Sequence, residues 1–448
     1  MSDVNPVPVM VAPFFLDAPP PETAAEESLP EGPRRRRHAR APREGGKRRR
    51  GLVIAVLAIA VVGGVASFTG IRLSAPLPVA VVTPTIRHSP LVISDSSPVN
   101  LPWTTTGQSA VAIPSVGIDV QSGPEQPAPV ASLTKMMTAY VVLHDHPLDS
   151  GQNGPNIVIS QDDLTDFDTD TVSDQANAQV TLGEVLTERQ LLGGMIIHSA
   201  NDYADALARW DAGSLPAFVA KMNSAAVQLG MDHSHYADPS GFDPASQSTA
   251  GDQLKVAAPD MNDPVFASLA RMTSITLPVA GTLSTYTPLL GVQGIIGVKS
   301  GFTSQAGGCD VVAVIRKVHG LPVLILSAVT GQTGLSVIGK AGLFALNLAN
   351  FAANAIGSSP IIRSGEVVAH VTAAGHTVNA VASQTVHMLS WPGVRATRVL
   401  FDTRHVQPGT LRGTRIGSFM MDLGTQRVVI PVRLSQDLPR ESLEQRLF

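Results

Sequence analysis

The sequence predicts a mixed α/β body held behind one N-terminal membrane helix and followed by an all-β module. Three observations predict it. Residues Gly51 to Ile71, GLVIAVLAIAVVGGVASFTGI, run 21 residues without a charge, and as a helix such a run spans roughly 30 Å, the thickness of a bilayer's hydrocarbon core. Between residues 108 and 356 stretches of helical and of strand periodicity alternate. After Ile356, EVVAHVTAAGHTVNAVASQTVHMLSW and RIGSFMMDLGTQRVVIPVRL alternate in period two with frequent turn signals.

Residues 1–33 are rich in Pro, Ala and Glu with no apolar period, which predicts a disordered tail. Residues 34–50, RRRRHARAPREGGKRRR, hold ten of the chain's 32 basic residues. Beyond residue 50 the chain has 22 basic residues against 29 acidic, a net charge of −7. Basic runs also occur in nucleic-acid-binding tails. This one lies directly before the uncharged segment, where positive charge keeps its side in the cytoplasm, so no nucleic-acid partner is expected. A cleaved signal peptide, the other reading, calls for a shorter apolar region and a small-x-small site. The expectation is a single-pass protein of the cell membrane with residues 1–50 cytoplasmic, 51–71 spanning, and the rest outside the cytoplasm.

Residues 72–107, with repeated Pro, Ser and Thr, read as an extended linker. SAVAIPSVGIDVQSG reads as short edge strands, and the helix that follows begins at ASLTKMMTAY. From 180 on, VTLGEVLTERQLLGGMIIHSANDYADALARW is helical in pattern, with Thr181 and Glu184 at capping-box spacing. PAFVAKMNSAAVQLG is a second helix ending at Gly230. GIIGVKSGFTSQAGGCDVVAVIRKVHGLPVLILSAVTG gives three strands with Gly-rich turns. SVIGKAGLFALNLANFAANA, interrupted by Lys340, reads as a packed helix that closes a body over 108–356. Ser358–Ser359–Pro360 marks a boundary before the β module, 361–448.

The helix after Val130 poses a chemical question, because apolar residues surround it and a lysine stands in its first turn. Lysine is almost never fully buried without a partner. Ser132 lies three positions before Lys135, on the same helical face. A serine hydroxyl becomes a good nucleophile when a base takes its proton, and lysine can be that base once its pKa falls from about 10.4 towards neutrality. Burial and a neighbouring cation both lower it. Ser-x-x-Lys alone is a weak signal. Two further motifs accompany it: Ser199 and Asn201 in HSAND, and Lys299–Ser300–Gly301 in GVKSGFT. The chain has seven lysines, and two of them fall in these motifs. Taken singly, Ser199 and Asn201 could be a helix cap and the last motif an exposed strand end. The ordered set of three makes coincidence a poor account.

With these residues the chain resembles the serine penicillin-binding proteins, in particular the low-molecular-mass D-alanyl-D-alanine carboxypeptidases. ASLTKMMTA, HSAND and GVKSGFT match that family's active-site motifs, and LGMDHSHYADPSGFDPASQSTAGDQL is similar to its middle region with a Pro-x-Gly turn. The resemblance implies a β-lactamase/DD-peptidase-like transpeptidase fold, a five-stranded antiparallel sheet beside a helical subdomain, with a C-terminal all-β domain like the extra domain of many members. It also implies the roles. Ser132 would form the acyl-enzyme and Lys135 would be its base. Ser199 would relay a proton to the leaving amine, and Asn201 would hold Lys135 and the substrate amide. Lys299 would lower the pKa of Lys135 and attract the substrate's terminal carboxylate, Ser300 would bond that carboxylate, and Gly301 would let the strand come close. The backbone N–H of Ser132 would share the oxyanion hole with one from the strand after Gly301. The partners implied are peptidoglycan stem peptides and, as inhibitors, β-lactam antibiotics. No cofactor is expected. Two positions depart from the family: Ser300 stands where Thr is commoner, and His198 precedes Ser199 where a small residue or Pro is usual.

His233-x-His235 lacks a third zinc ligand at suitable spacing, so no metal is expected. The single Cys309 allows no intrachain disulfide. Two rival functions remain. A class A-like β-lactamase would carry a glutamate between the second and third motifs for deacylation, and none occurs from Arg189 to Gly365. A non-catalytic cell-wall-binding scaffold would have no use for the three motifs together.

Overall fold

The computed structural model describes residues 46–75, 79–85, 91–92, 98–123, 126–403 and 406–447. The tail expected over residues 1–50 lies outside these up to residue 45. The chain divides into two units, Met1–Ser74 and Ala75–Phe448.

In the first unit the described part is one helix, Gly46–Ser74. It begins inside the basic run and continues past the expected end at Ile71, since Lys and Arg are good helix formers. Its stretch Leu52–Ser74, 23 residues, is long and apolar enough to cross a membrane.

The second unit is built on a five-stranded antiparallel sheet. The strand order is Ile295–Thr303, Gly307–Val318, Leu321–Gln332, Gln108–Ile113, Ile118–Gln121. Two of the outcomes refine the sequence reading. The segment expected as edge strands supplies one edge, Ile118–Gln121, but Gln108–Ile113 is interior, paired with Leu321–Gln332 on its other side. The central strands read as continuous apolar runs because both their faces are covered. Val311, Ala313, Leu326 and Ala328 face a core shared with helices Thr134–Asp145 and Ala250–Asn262. Val312, Val314, Val323 and Ile325 face helix Val337–Ala355, through Ala341, Ala345, Leu348 and Ala349. The small residues on that helix let it lie close to the sheet.

The helical region begins later than the Thr181/Glu184 pair suggests. Gly183, with φ +78°, turns the chain between those two residues, a conformation no helix start can hold. A short strand Val185–Thr187 follows, and Thr187 then caps helix Glu188–Ile197 in a capping box with Gln190. The box thus exists with the same chemistry, one repeat further along.

A second, seven-stranded sheet carries the period-two sequences of the C-terminal region. Its core contains Val368, Val371, Ala380, Met421, Ile430 and Val432, all buried. Residues 81–84, inside the stretch expected as a linker, form its edge by pairing with Val367–Ala373. Leu91–Val92 pairs at the opposite edge with Arg395–Thr403. A nearby strand, Gly357–Ile362, runs through the expected boundary residues and pairs with Val386–Ser390. That partner strand and the residue after it bring Leu389 and Trp391 into the core beneath helix Val337–Ala355. Gln426 Nε2 donates to the Ser115 carbonyl at 2.6 Å and Thr425 N to that of Pro114 at 3.0 Å. The β-rich region is therefore joined to the α/β body by buried apolar contacts and main-chain hydrogen bonds. Trp391, 4% exposed, is the largest side chain of that joint. Trp391→Ala is expected to cost about 3–5 kcal/mol, read as a lower unfolding midpoint in urea.

Candidate active site

Ser132 lies on a 3₁₀ turn, Ala131–Leu133, that runs into helix Thr134–Asp145. The turn is set by contacts from three directions. From the sheet comes the edge strand Ile295–Thr303. A Cβ on Gly301 would stand 2.8 Å from Ser132 N and 3.2 Å from Leu133 N, closer than real contacts allow. From the other side comes the Pro239–Ser240–Gly241 turn. A Cβ on Gly241 would stand 1.9 Å from the Ala131 carbonyl oxygen, and Gly241 also holds φ +81°. From below, Thr138 Oγ1 donates to the Pro239 carbonyl at 2.6 Å. Both glycines are present because backbone meets backbone there.

Lys135 is fully buried in the first turn of the helix. Its Nζ donates to Ser132 Oγ at 3.1 Å, to Asn201 Oδ1 at 2.5 Å and to the Ser240 carbonyl at 2.8 Å. Those three bonds satisfy an ammonium, and they also suit a neutral amine. The amine would keep its two N–H bonds on the two oxygens that can only accept, and turn its lone pair to the Ser132 hydroxyl. Burial is the main cause that lowers the Lys135 pKa to about 8, against opposition from Asp238, Asp205, Asp170 and Asp202.

Ser199 and Asn201 follow helix Glu188–Ile197, at the start of helix Asn201–Ala212. Ser199 takes φ +64°, which turns the chain sharply between the two helices. Neither residue caps a helix: the N-cap is Ala200, without a side-chain bond. Ser199 Oγ accepts from Lys299 Nζ at 3.0 Å. Lys299 also donates to the Ser300 carbonyl at 2.8 Å and is 1% exposed. Its pKa lies well below the ordinary lysine value, first through burial and then through Lys135, with Asp310 opposing. Burial, rather than the charge of Lys299, is thus the leading cause of the Lys135 shift. Ser300 Oγ donates to the Tyr286 carbonyl at 2.9 Å.

Six of the seven residues singled out in the sequence are thus in direct contact with another of them, while the Ser300 hydroxyl is turned to the Tyr286 carbonyl. Ser132, Lys135 and Asn201 form one bonded group, Lys299 and Ser199 a second, and Gly301 seals the strand against the nucleophile turn. Two contributors escaped the sequence reading. Ser240 acts through its backbone carbonyl, which side-chain identity does not reveal, although the Pro-x-Gly turn around it was visible. Gln175 Oε1 accepts from Asn201 Nδ2 at 2.6 Å and lines the cleft with Ser132, Phe242 and Phe302. It lies in a loop with no motif to mark it.

Comparison with known proteins gives the family. The sequence profile described as D-alanyl-D-alanine carboxypeptidase matches residues 107–330. The chain belongs to the D-alanyl-D-alanine carboxypeptidase family. Over 202 residues it is 32% identical to the D-alanyl-D-alanine carboxypeptidase of Streptomyces sp. (strain K15), covering 41% of this chain and 67% of that one. It is 31% identical over 191 residues to D-alanyl-D-alanine carboxypeptidase DacB2 of Mycobacterium tuberculosis, covering 40% and 65%. Among solved structures, penicillin binding protein 5 from Haemophilus influenzae shares the fold: TM-score 0.55 at 21% identity, over 77% of this chain and 100% of that one. The mixed fold with antiparallel sheets and the serine D-Ala-D-Ala carboxypeptidase class expected from the sequence are both met by these findings.

Gly301→Ala is expected to push the edge strand off the Ser132 turn. A misplacement of about 1 Å costs on the order of a hundredfold in rate, so acylation of the variant by penicillin should slow by about that factor in a stopped-flow assay.

Proposed function

We propose that the chain is a membrane-anchored carboxypeptidase that removes the terminal D-alanine of peptidoglycan stem peptides through an acyl-enzyme on Ser132. The observation that carries this reading is the Lys135 amine, 3.1 Å from Ser132 Oγ with its other contacts on Asn201 Oδ1 and the Ser240 carbonyl. Ser132 Oγ attacks the carbonyl carbon of the penultimate D-alanine while its proton passes to Lys135 Nζ. The tetrahedral oxyanion would accept from the Ser132 N–H. The bond to the terminal D-alanine nitrogen then breaks as Lys135 gives up that proton, which reaches the nitrogen through Ser199. Water attacks the ester, Lys135 takes its proton and passes it to Ser132 Oγ as the ester bond breaks, which restores the hydroxyl.

Lys299 supplies the charge for the substrate's terminal carboxylate. As an ammonium, two of its three N–H bonds are engaged by Ser199 Oγ and the Ser300 carbonyl, which leaves one for the ligand. Ser300 would join it by rotating its hydroxyl away from the Tyr286 carbonyl. A β-lactam enters the same sequence, because its ring amide stands where the scissile amide would and its carboxylate where the terminal one would. With no glutamate between Arg189 and Gly365, the ester formed with penicillin should be long-lived. Mass spectrometry after incubation with penicillin should find the adduct on the peptide holding Ser132. Fast multiple turnover of penicillin would favour the β-lactamase reading, and absence of both adduct and D-alanine release would favour the scaffold.

The neutral form of Lys135 is the base, so activity falls as pH drops through its pKa. With that pKa lowered to about 8, the acylation rate constant should rise about tenfold per pH unit below 8 and level off above it. A profile flat from pH 6 to 9 would remove Lys135 from the role.

The basic run before the apolar helix supports an anchor with residues 1–50 in the cytoplasm and residues 72–448 outside. Protease added to intact spheroplasts should digest the body and spare the tail; the reverse pattern would overturn the orientation.

A further inference from the structure

The amide of Asn201 has two ends, and the site needs a particular one on Lys135. If Oδ1 faces Nζ, it takes up an N–H and the amine's lone pair remains for Ser132. If Nδ2 faces it instead, an N–H of Asn201 competes with the Ser132 hydroxyl for that lone pair, and the base is lost to the reaction. A protonated Lys135 enforces the first arrangement by itself, since an ammonium only donates. The neutral amine does not, and the neutral amine is the form that acts as base.

Gln175 supplies what is missing. Its Oε1 accepts from Asn201 Nδ2 at 2.6 Å, which favours the arrangement with Oδ1 on Lys135 at 2.5 Å. The loop that carries Gln175 is tied to the start of helix Asn201–Ala212 by one main-chain bond and one bond to a side-chain carboxylate. Asn201 N donates to the Ala176 carbonyl at 2.8 Å and Ala178 N to Asp202 Oδ1 at 3.1 Å. Gln175 N is itself held by the Asp170 carbonyl at 2.9 Å. These bonds hold the backbone on either side of Gln175 close to Asn201.

We propose that Gln175 is a positioning residue for acyl transfer, holding the Asn201 amide in the sense that leaves the Lys135 lone pair to Ser132. This deepens the reading of Ser132 and Lys135 as nucleophile and base and rests on it. Two substitutions separate it from a merely structural role. Gln175→Met keeps the length and removes the acceptor. Gln175→Glu keeps an acceptor in either orientation and adds a negative charge. Lys135 already faces Asp238, Asp205, Asp170 and Asp202, with Lys299 as the neighbouring cation, so a further negative charge displaces its titration to higher pH.

The experiment measures acylation by penicillin as a function of pH, separating the rate constant from the initial dissociation constant, with a thermal melt of each variant. Gln175→Met should lower the alkaline plateau of the rate constant by about tenfold, the scale of one hydrogen bond. Gln175→Glu should regain the wild-type plateau, reached at higher pH. A wild-type plateau in Gln175→Met, or a plateau as low in Gln175→Glu as in Gln175→Met at equal melting temperatures, would overturn the proposal. A crystal structure of Gln175→Met gives a readout that needs no activity: Asn201 should turn, bringing Nδ2 to Lys135 or leaving it altogether. An unmoved amide overturns the proposal even if wild-type Ser132 is acylated, and a wild-type Ser132 that resists penicillin counts against the carboxypeptidase reading instead.

Discussion

The site depends on an amine kept out of water while still bonded on every side. Transferring an ammonium into an apolar interior is costly, and the usual response is loss of the proton. Lys135 meets that cost in the first turn of a core helix, where desolvation lowers its pKa to about 8. Its partners come from three separate parts of the chain: the Ser132 turn, the start of helix Asn201–Ala212, and the turn at Ser240. Much of the surrounding architecture can be understood as what holds those parts within one hydrogen bond of Nζ. The five-stranded sheet fixes the edge strand against Ser132, and the helical region delivers Asn201 and Ser240.

Close approach of main chain explains the glycines of the site better than flexibility does. Gly301 and Gly241 contact the Ala131–Leu133 turn from opposite sides, and any Cβ at either would overlap backbone atoms. The backbone on the nucleophile turn cannot yield easily, because Leu133 N is bonded to the Val130 carbonyl and the helix follows at once. Gly301 thus lets the edge strand come into contact with the Ser132 N–H.

The chemistry was more legible in the sequence than the architecture that serves it. Ser132, Lys135, Ser199, Asn201, Lys299 and Ser300 are proposed to act through side chains, so their identity and spacing announce them, and the structure bonds Lys135 to Ser132 and Asn201 and bonds Lys299 to Ser199. The Ser240 contact is made by a carbonyl that every residue possesses, and Gln175 reaches the site from a loop distant in sequence, so neither had a local signature. Helix Val337–Ala355 and the three strands before it followed from apolar runs and Gly-rich turns. Errors arose where local signals had two solutions. Thr181 and Thr187 both begin a capping-box pattern, and the positive φ of Gly183 decides for the second. Residues 81–84 contain Val-Val-Thr-Pro, which looks like linker until the partner strand Val367–Ala373 is known. Edge pairing of this kind is set by tertiary contact rather than by propensity.

The acidic groups around Lys135 adjust what burial alone would do. Desolvation without compensation would drive a lysine pKa down by several units, to a point where the neutral amine is abundant but a weak base. Asp238, Asp205, Asp170 and Asp202 pull it back to the extent that they are ionised; burial raises Asp170 to about 6, Asp205 to about 8 and Asp202 well above the usual carboxylate range, so the last two lend less charge than their number suggests. Asp238 is the nearest in effect and also the best held: its carboxylate accepts from Ser240 Oγ at 2.6 Å and from Phe242 N at 2.9 Å, and also from Ser246 Oγ. It therefore shapes the turn that presents the Ser240 carbonyl and contributes charge to the same amine. A base is most useful when its pKa lies near the working pH, since both its neutral fraction and its proton affinity enter the rate. An amine buried enough to lose its proton, and surrounded by enough carboxylate to want it back, satisfies both conditions.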